Sequence, residues 1–235
     1  MSAKRYVIVN ADDFGMSPGV NRGIMQTHEY GIVTSASLLV HWPAATEAAA
    51  YSRRHENFSV GMHVDLGEWG FRQARWSPNY KRVNLKDAKA VEKEVASQLA
   101  LFLKLVGKAP THLDSHQHVH HREPVHAILL QLANMLKIPL RSYSNKIHYC
   151  GKFYGQTAEG NPLPEALSVS SLMTILQSLP SGFTELGCHP GEATDVQTDY
   201  REERLQEMKI LCHPQIRKTL QVLHIQLCSF HTLNA

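Results

Sequence analysis

Cysteine is scarce and unpatterned in this 235-residue chain, and none of its four, Cys150, Cys188, Cys212 and Cys228, forms a C-x-x-C pair. Neither a zinc ribbon nor a thioredoxin-type site is therefore suggested, and free thiols in a reducing compartment are the expectation. An excess of one charge is missing too. Twenty-four basic residues against 21 acidic ones give a net charge of only +3, with no block of like charge, which argues against a nucleic-acid partner. No apolar run reaches the roughly 18 residues that a membrane helix requires. The opening MSAKRYVIVNADDFG enters a strand directly, without the core of a signal peptide. These absences lead us to expect a cytoplasmic protein with no membrane span. Internal repeats, low-complexity tracts and composition breaks are also lacking, so residues 1–235 are expected to form a single domain.

What is present is an alternation of short apolar runs and helical patterns. Strands are expected at residues 6–9 (YVIV), 35–40, 58–64, 111–114, 140–144, 183–188 and 225–230. Helices are expected at residues 18–30, 44–54, 87–106, 125–136, 166–179, 201–211 and 215–223. Ser17 followed by Pro18 reads as an N-cap with proline in the first turn. In the longest helix, Val91, Val95, Leu99, Phe102 and Leu103 form a core stripe. Residues 67–85 and 146–164 read as loops. Seven strands interleaved with helices imply an α/β domain with a parallel sheet, either doubly wound or curled into a complete or incomplete barrel.

Histidine is plentiful: fifteen in all, five of them in 111-THLDSHQHVHH-121. Strict alternation there would send His112, Asp114, His116, His118 and His120 the same way. No core can bury such a row without partners, so the strand is expected to stop near Asp114. Other strands end similarly. The first runs into Asp12 and Asp13, the third into His63 and Asp65, the sixth into His189. Parallel strands share a C-terminal edge, which is where such sheets carry their chemistry. His112, before the strand end, reads as structural, and His120 and His121 as solvated loop groups or neighbours of a helix N-terminus.

One carboxylate and two imidazoles suit a divalent metal and leave positions open for water and substrate. Asp13, His63 and His116 are the best trio. Asp12 is placed to act as a base if the chain bends near Gly15, since neighbouring strand residues otherwise face opposite ways. His189 is the natural proton donor to a leaving group. The set describes metal-assisted hydrolysis of an acyl or phosphoryl bond. A phosphoester or cyclic-amide hydrolase and a non-catalytic sugar-binding protein are the competing readings.

The blocks VNADDFGMSPGVNRGI, GIVTSASLLV, VGMHVDLGE, KAPTHLDSHQHVH and CHPGEA, in this order between residues 5 and 193, resemble the YdjC-like family of carbohydrate deacetylases. The resemblance implies a TIM-barrel-like fold of seven or so parallel strands. It implies one divalent ion, Zn2+ or Mg2+, on Asp13, His63 and His116. Asp12 becomes the general base, and His189 the acid or oxyanion stabiliser. The implied reaction is removal of an N-acetyl group from an acetylated amino sugar, such as a chitooligosaccharide, by a homodimer. Nitrogen ligands favour zinc over magnesium. Trp69, Phe71 and Trp76 are candidate stacking surfaces for sugar rings.

Overall fold

The computed structural model describes residues 4–192 and 194–234. Residues 1–3, in the stretch read as lacking a signal core, and Ala193, which ends the CHPGEA block, lie outside the described residues.

The core is a parallel sheet of β1 (Arg5–Phe14), β2 (Ser35–Leu38), β3 (Ser59–Val64), β6 (Leu113–Ser115), β7 (Ile147–Cys150), β8 (Gly182–Cys188) and β9 (Ile225–Leu227). The strand order is β6-β3-β2-β1-β8-β7. β1 pairs with β9 along its first half (Arg5 to Val7) and with β2 along its second (Asn10 to Phe14). The sheet curls into a partial barrel with helices outside it, so of the two architectures open to alternating strands and helices it is the barrel-like one. β1 lies at its centre, and from Val7 to Phe14 every residue is buried, which accounts for its unbroken apolar start.

Around the sheet run α1 (Pro18–Glu29), α2 (Ala45–Arg54), α3 (Ala88–Val106), α4 (Val125–Leu136), α5 (Val169–Ser178), α6 (Glu202–Leu211) and α7 (Pro214–Val222). Ser17 caps α1 by accepting the Val20 N–H, with Pro18 in the first turn, as its sequence predicts. α1 lies so close to the turn after β8 that a Cβ on Gly23 would meet the Gly191 backbone at 2.4 Å. That contact fixes the segment leaving His189.

The sequence reading fails in four places. Residues 67–85 are not simply a loop: β4 (Gly67–Arg72) and β5 (Arg75–Lys81) form an antiparallel hairpin, with a register shift between Glu68 and Trp69 opposite Pro78. The expected strand at 140–144 contributes only a bridge from Leu140 to Leu113, then turns at Ser142, whose φ is +66°. The strand comes a few residues later, as β7, inside the supposed loop. In α3, Leu103 is exposed, and the buried stripe takes in Gln98 and Val106 instead. Gln98 is satisfied by the backbone of Asp65, accepting its N–H and donating to its C=O. Finally, the last strand stops at Leu227, and a 3-10 turn (Phe230–Asn234) follows.

Candidate active site

The two adjacent acids of β1 both reach the rim because the chain twists at Asp13 itself. Its φ is +66°, and the β1–β2 register shifts between Ala11 and Phe14. Aspartate tolerates this left-handed conformation better than most residues, but it still costs on the order of 1–3 kcal/mol. The strain releases Asp12 and Asp13 from strict alternation. The bend expected near Gly15 thus lies two residues earlier.

Asp13, His63 and His116 come together: each offers a donor atom, and the three atoms lie within 4.8 Å of one another. Asp13 Oδ1 is 3.1 Å from His116 Nδ1 and 3.4 Å from His63 Nε2. Its other oxygen, Oδ2, accepts from Arg204 Nη2 at 2.5 Å. His63 is oriented from behind by Asp114, whose Oδ1 is 2.8 Å from Nδ1, so Nε2 faces Asp13. A carboxylate behind a histidine is the usual support for a metal-binding imidazole. His116 likewise has Glu68 Oε2 at 3.2 Å from its Nε2.

The electrostatics suit a cation. Burial would raise the Asp13 carboxyl, but Arg204 and His116 outweigh it and hold the group well below the usual range. Burial works against a charged His63, yet Asp114 and Asp12 lift it well above normal. His116, also desolvated, is lifted to about 9 by Asp13 and Glu68. The field therefore holds protons on two imidazoles at neutral pH, and a divalent ion on the same nitrogens would replace that positive charge. The residues fit a divalent metal: two imidazoles and one carboxylate oxygen, each braced by its own partner.

Asp12 sits beside this trio in a network that sequence reasoning missed. Arg141 Nη1 and Nη2 each lie 2.7 Å from one Asp12 oxygen, and Asn10 Nδ2 donates to Oδ1 at 3.0 Å. Arg141 also contacts Asp114 and Glu185, at 2.6 and 2.7 Å, so one buried guanidinium serves three buried carboxylates. Desolvation would raise Asp12, but Arg141 prevails and keeps it ionised. Glu185, on the far side, is lifted by burial to about 7.

His189 follows the last residue of β8. Its Nε2 is 3.8 Å from Asp12 Oδ2, and its ring meets Tyr154 and Tyr200 edge-on. Burial pulls its pKa down to about 4, so the ring is neutral at pH 7. Glu207 of α6 accepts its backbone N–H and the Tyr200 hydroxyl. Burial lifts Glu207 to about 8 despite those donors.

Other rim groups divide differently from the expectation. Asp65 is a brace for the hairpin, accepting from Trp42, Tyr80, Arg82 and the Gly67 N–H. His112 is structural, as read: it stacks on Phe230 at 3.8 Å and lies so close to Gly61 that a Cβ there would be 2.5 Å away. His121 is exposed, but His120, read as a solvated loop group or a helix N-terminal neighbour, is not solvated: it is fully buried because the chain coils into a 3-10 turn (His116–His121) ahead of α4 that folds it back onto Ser115. Arg141, Arg204, Glu68 and Glu207 were not anticipated. The available signal was a charged residue at a core-facing position: Arg204 and Glu207 share the buried face of α6 with Met208 and Leu211.

A cleft of about 870 Å³ opens over these groups. Trp69, Phe71 and Trp76 of the hairpin line one side, and Tyr154 and Tyr200 line another. Phe71 and Trp76 lean together at 5.5 Å, and Trp76 is 55% exposed.

The sequence aligns with a carbohydrate deacetylase of Geobacillus stearothermophilus at 29% identity over 96% of this chain and 97% of the relative. It aligns with a chitooligosaccharide deacetylase of Serratia marcescens at 28% identity over 98% of this chain and all of the relative. A crystal structure from Enterococcus faecalis V583, provisionally described as a cellobiose-phosphate cleavage protein, superimposes with a TM-score of 0.77 at 25% identity, covering 98% of this chain and 99% of the other. The profile of the YdjC-like protein family matches residues 6–222, nearly the whole chain, and the chain belongs to that family.

Proposed function

We propose that this protein is a metal-dependent hydrolase that removes N-acetyl groups from acetylated amino sugars, chitooligosaccharides or related glycans, and releases acetate. One observation carries the reading: donor atoms of Asp13, His63 and His116 converge within 4.8 Å, with an ionised Asp12 alongside, under a cleft of sugar size. The named relatives, a carbohydrate deacetylase and a chitooligosaccharide deacetylase aligned over their full lengths, supply the substrate class.

Asp13, His63 and His116 would hold one divalent ion, Zn2+ or Mg2+, and the two nitrogens would favour zinc. Such an ion, when bound, supplies Lewis acidity and makes water acidic near neutral pH. The chain's own residues do the rest. A carboxylate has about four lone-pair positions; Arg141 and Asn10 occupy three on Asp12, leaving one on Oδ2. That position takes the proton of the attacking water. Arg141 keeps Asp12 ionised and its free oxygen position ready to accept. The neutral His189 donates from Nε2 to the developing oxyanion, the point at which fixed donors lower a barrier most. Asp12 Oδ2, which now carries that proton and lies 3.8 Å from His189 Nε2, gives it to the nitrogen of the departing amine. The aromatic hairpin and Tyr154 hold sugar faces above.

On the same reading the whole chain is one deacetylase domain acting as a homodimer. We place it in the cytoplasm, because all four cysteines are unpaired and no described helix is long and apolar enough to cross a membrane.

The test is acetate release from N-acetylglucosamine oligomers, with and without a chelator, alongside an aryl phosphate. Chelator-sensitive acetate release with no phosphate release is expected. Phosphate release without acetate would replace the reading with a phosphoesterase.

A further inference from the structure

Three imidazoles have no part in the chemistry above. His118, His120 and His121 lie on the 3-10 turn after β6, and each offers a ring nitrogen within 4.8 Å of the other two. We propose that they form a second cation site, separate from the Asp13 centre, which takes one borderline dication such as Zn2+ or Ni2+ on imidazole nitrogen alone.

The buried member makes the argument. His120 is 0% exposed, and its Nε2 has no hydrogen-bond partner. Its Nδ1 is 2.7 Å from Ser115 Oγ, which also accepts the His120 backbone N–H at 2.9 Å. A serine oxygen can accept twice. With Nδ1–H donated there, Nε2 is left as a bare lone pair, the tautomer a metal-binding histidine needs. An orphaned buried nitrogen is costly unless something completes it. His121 is exposed rather than buried, but Tyr143 Oη lies 3.0 Å from its Nδ1. His118 Nδ1 is a second buried orphan.

Stacking alone does not account for this. The His120 and His121 rings lie 4.4 Å apart and tilted by 49°, which packs carbon but leaves the nitrogens unsatisfied. Zinc–nitrogen bonds of about 2.0–2.1 Å put two ligands on one ion no more than roughly 4.2 Å apart. Small ring rotations therefore close the site. With no oxygen donor in the set, magnesium should be refused. Gln117 and His118 both have φ near +50°, so an ion here would pin a strained turn that begins at His116.

The test is Zn2+ titration by calorimetry on wild type, Asp13→Asn, His121→Gln and the double variant. Asp13→Asn should retain one zinc equivalent, and the double variant should lose it. His121 is exposed, so its replacement leaves the core intact. Cu2+ added to Asp13→Asn protein should show nitrogen hyperfine structure in its EPR spectrum, altered by His121→Gln. Mg2+ should give no signal at this site. An Asp13→Asn protein that takes up no zinc overturns the proposal, and so does a double variant with undiminished capacity. Neither result depends on deacetylation, so the two readings can fail separately.

Discussion

Arg141 grips Asp12 with two parallel hydrogen bonds of 2.7 Å while also touching Asp114 and Glu185. One guanidinium thereby fixes the proposed base and, through Asp114, the orientation of His63. Replacing Arg141 by methionine would leave three buried carboxylates without their cation, and breaking a buried pair this way costs roughly 3–5 kcal/mol. Arg141→Met should therefore unfold at much lower denaturant than wild type. Arg141→Lys keeps the charge but not the fork, so it should fold and lose turnover. A lysine variant with unchanged kcat would mean that the fork does not orient Asp12.

Asp12→Asn separates base from ligand. The amide keeps the shape and removes the proton acceptor. Turnover should fall by about 10²–10⁴, the usual contribution of a positioned acid or base, while cation binding is retained. Loss of the cation instead would show that the two aspartates have exchanged roles.

Asp13→Ala or His116→Ala should abolish activity and the cation binding that belongs to the Asp13 centre, leaving only the zinc equivalent assigned to His118, His120 and His121. Asp114→Asn is the subtler variant. It touches His63 Nδ1 at 2.8 Å and none of the proposed ligand atoms. Loss of such a partner typically weakens metal affinity about 10–100-fold, and a calorimetric titration measures it directly. Affinity within twofold of wild type would remove Asp114 from the account.

That Asp12, Asp13, His63, His116 and His189 meet at one rim is legible in the sequence, because parallel strands deliver their ends to it. Their partners are not, because partnership is a tertiary property. Arg141 sits in a segment that reads as a strand, but it peels away after one bridge at Leu140. Arg204 lies in EERLQEMKIL, which resembles a solvated helix until its buried face is known. The hairpin was hidden by Pro78, which interrupts the alternation of β5 and is tolerated where the register slips. The twist at Asp13 was expected only as a bend nearby. A residue's φ is set by the pairing of its strand, and no local signal forces +66° on an aspartate.

Trp76 stands free at the cleft wall, 55% exposed, with Phe71 beside it. Exposed substitutions usually shift stability by no more than about 0.5 kcal/mol, so Trp76→Ala should melt as wild type does. If the wall stacks on sugar, KM for longer oligomers should rise while KM for the shortest substrate changes little. Equal KM values across chain lengths in both proteins would assign Trp76 to packing alone.

His112 should make stability depend on pH. Burial among Ser37, Thr111 and Phe230 pulls its pKa to about 3, whereas an unfolded histidine titrates near 6.5. Between those values the unfolded chain binds a proton that the folded chain refuses. Stability from this group is thus complete above pH 6.5 and declines as pH falls toward 3, by up to about 1.4 kcal/mol per pH unit. His112→Gln removes that proton but leaves every carboxylate in place. The variant will be less stable overall, because the stack on Phe230 is lost. Its unfolding free energy should nevertheless fall less steeply than that of wild type between pH 6.5 and 4.5, when both are followed by urea denaturation. Parallel slopes would show that the folded protein opens enough to protonate His112, and that the ring is not sealed beneath the sheet.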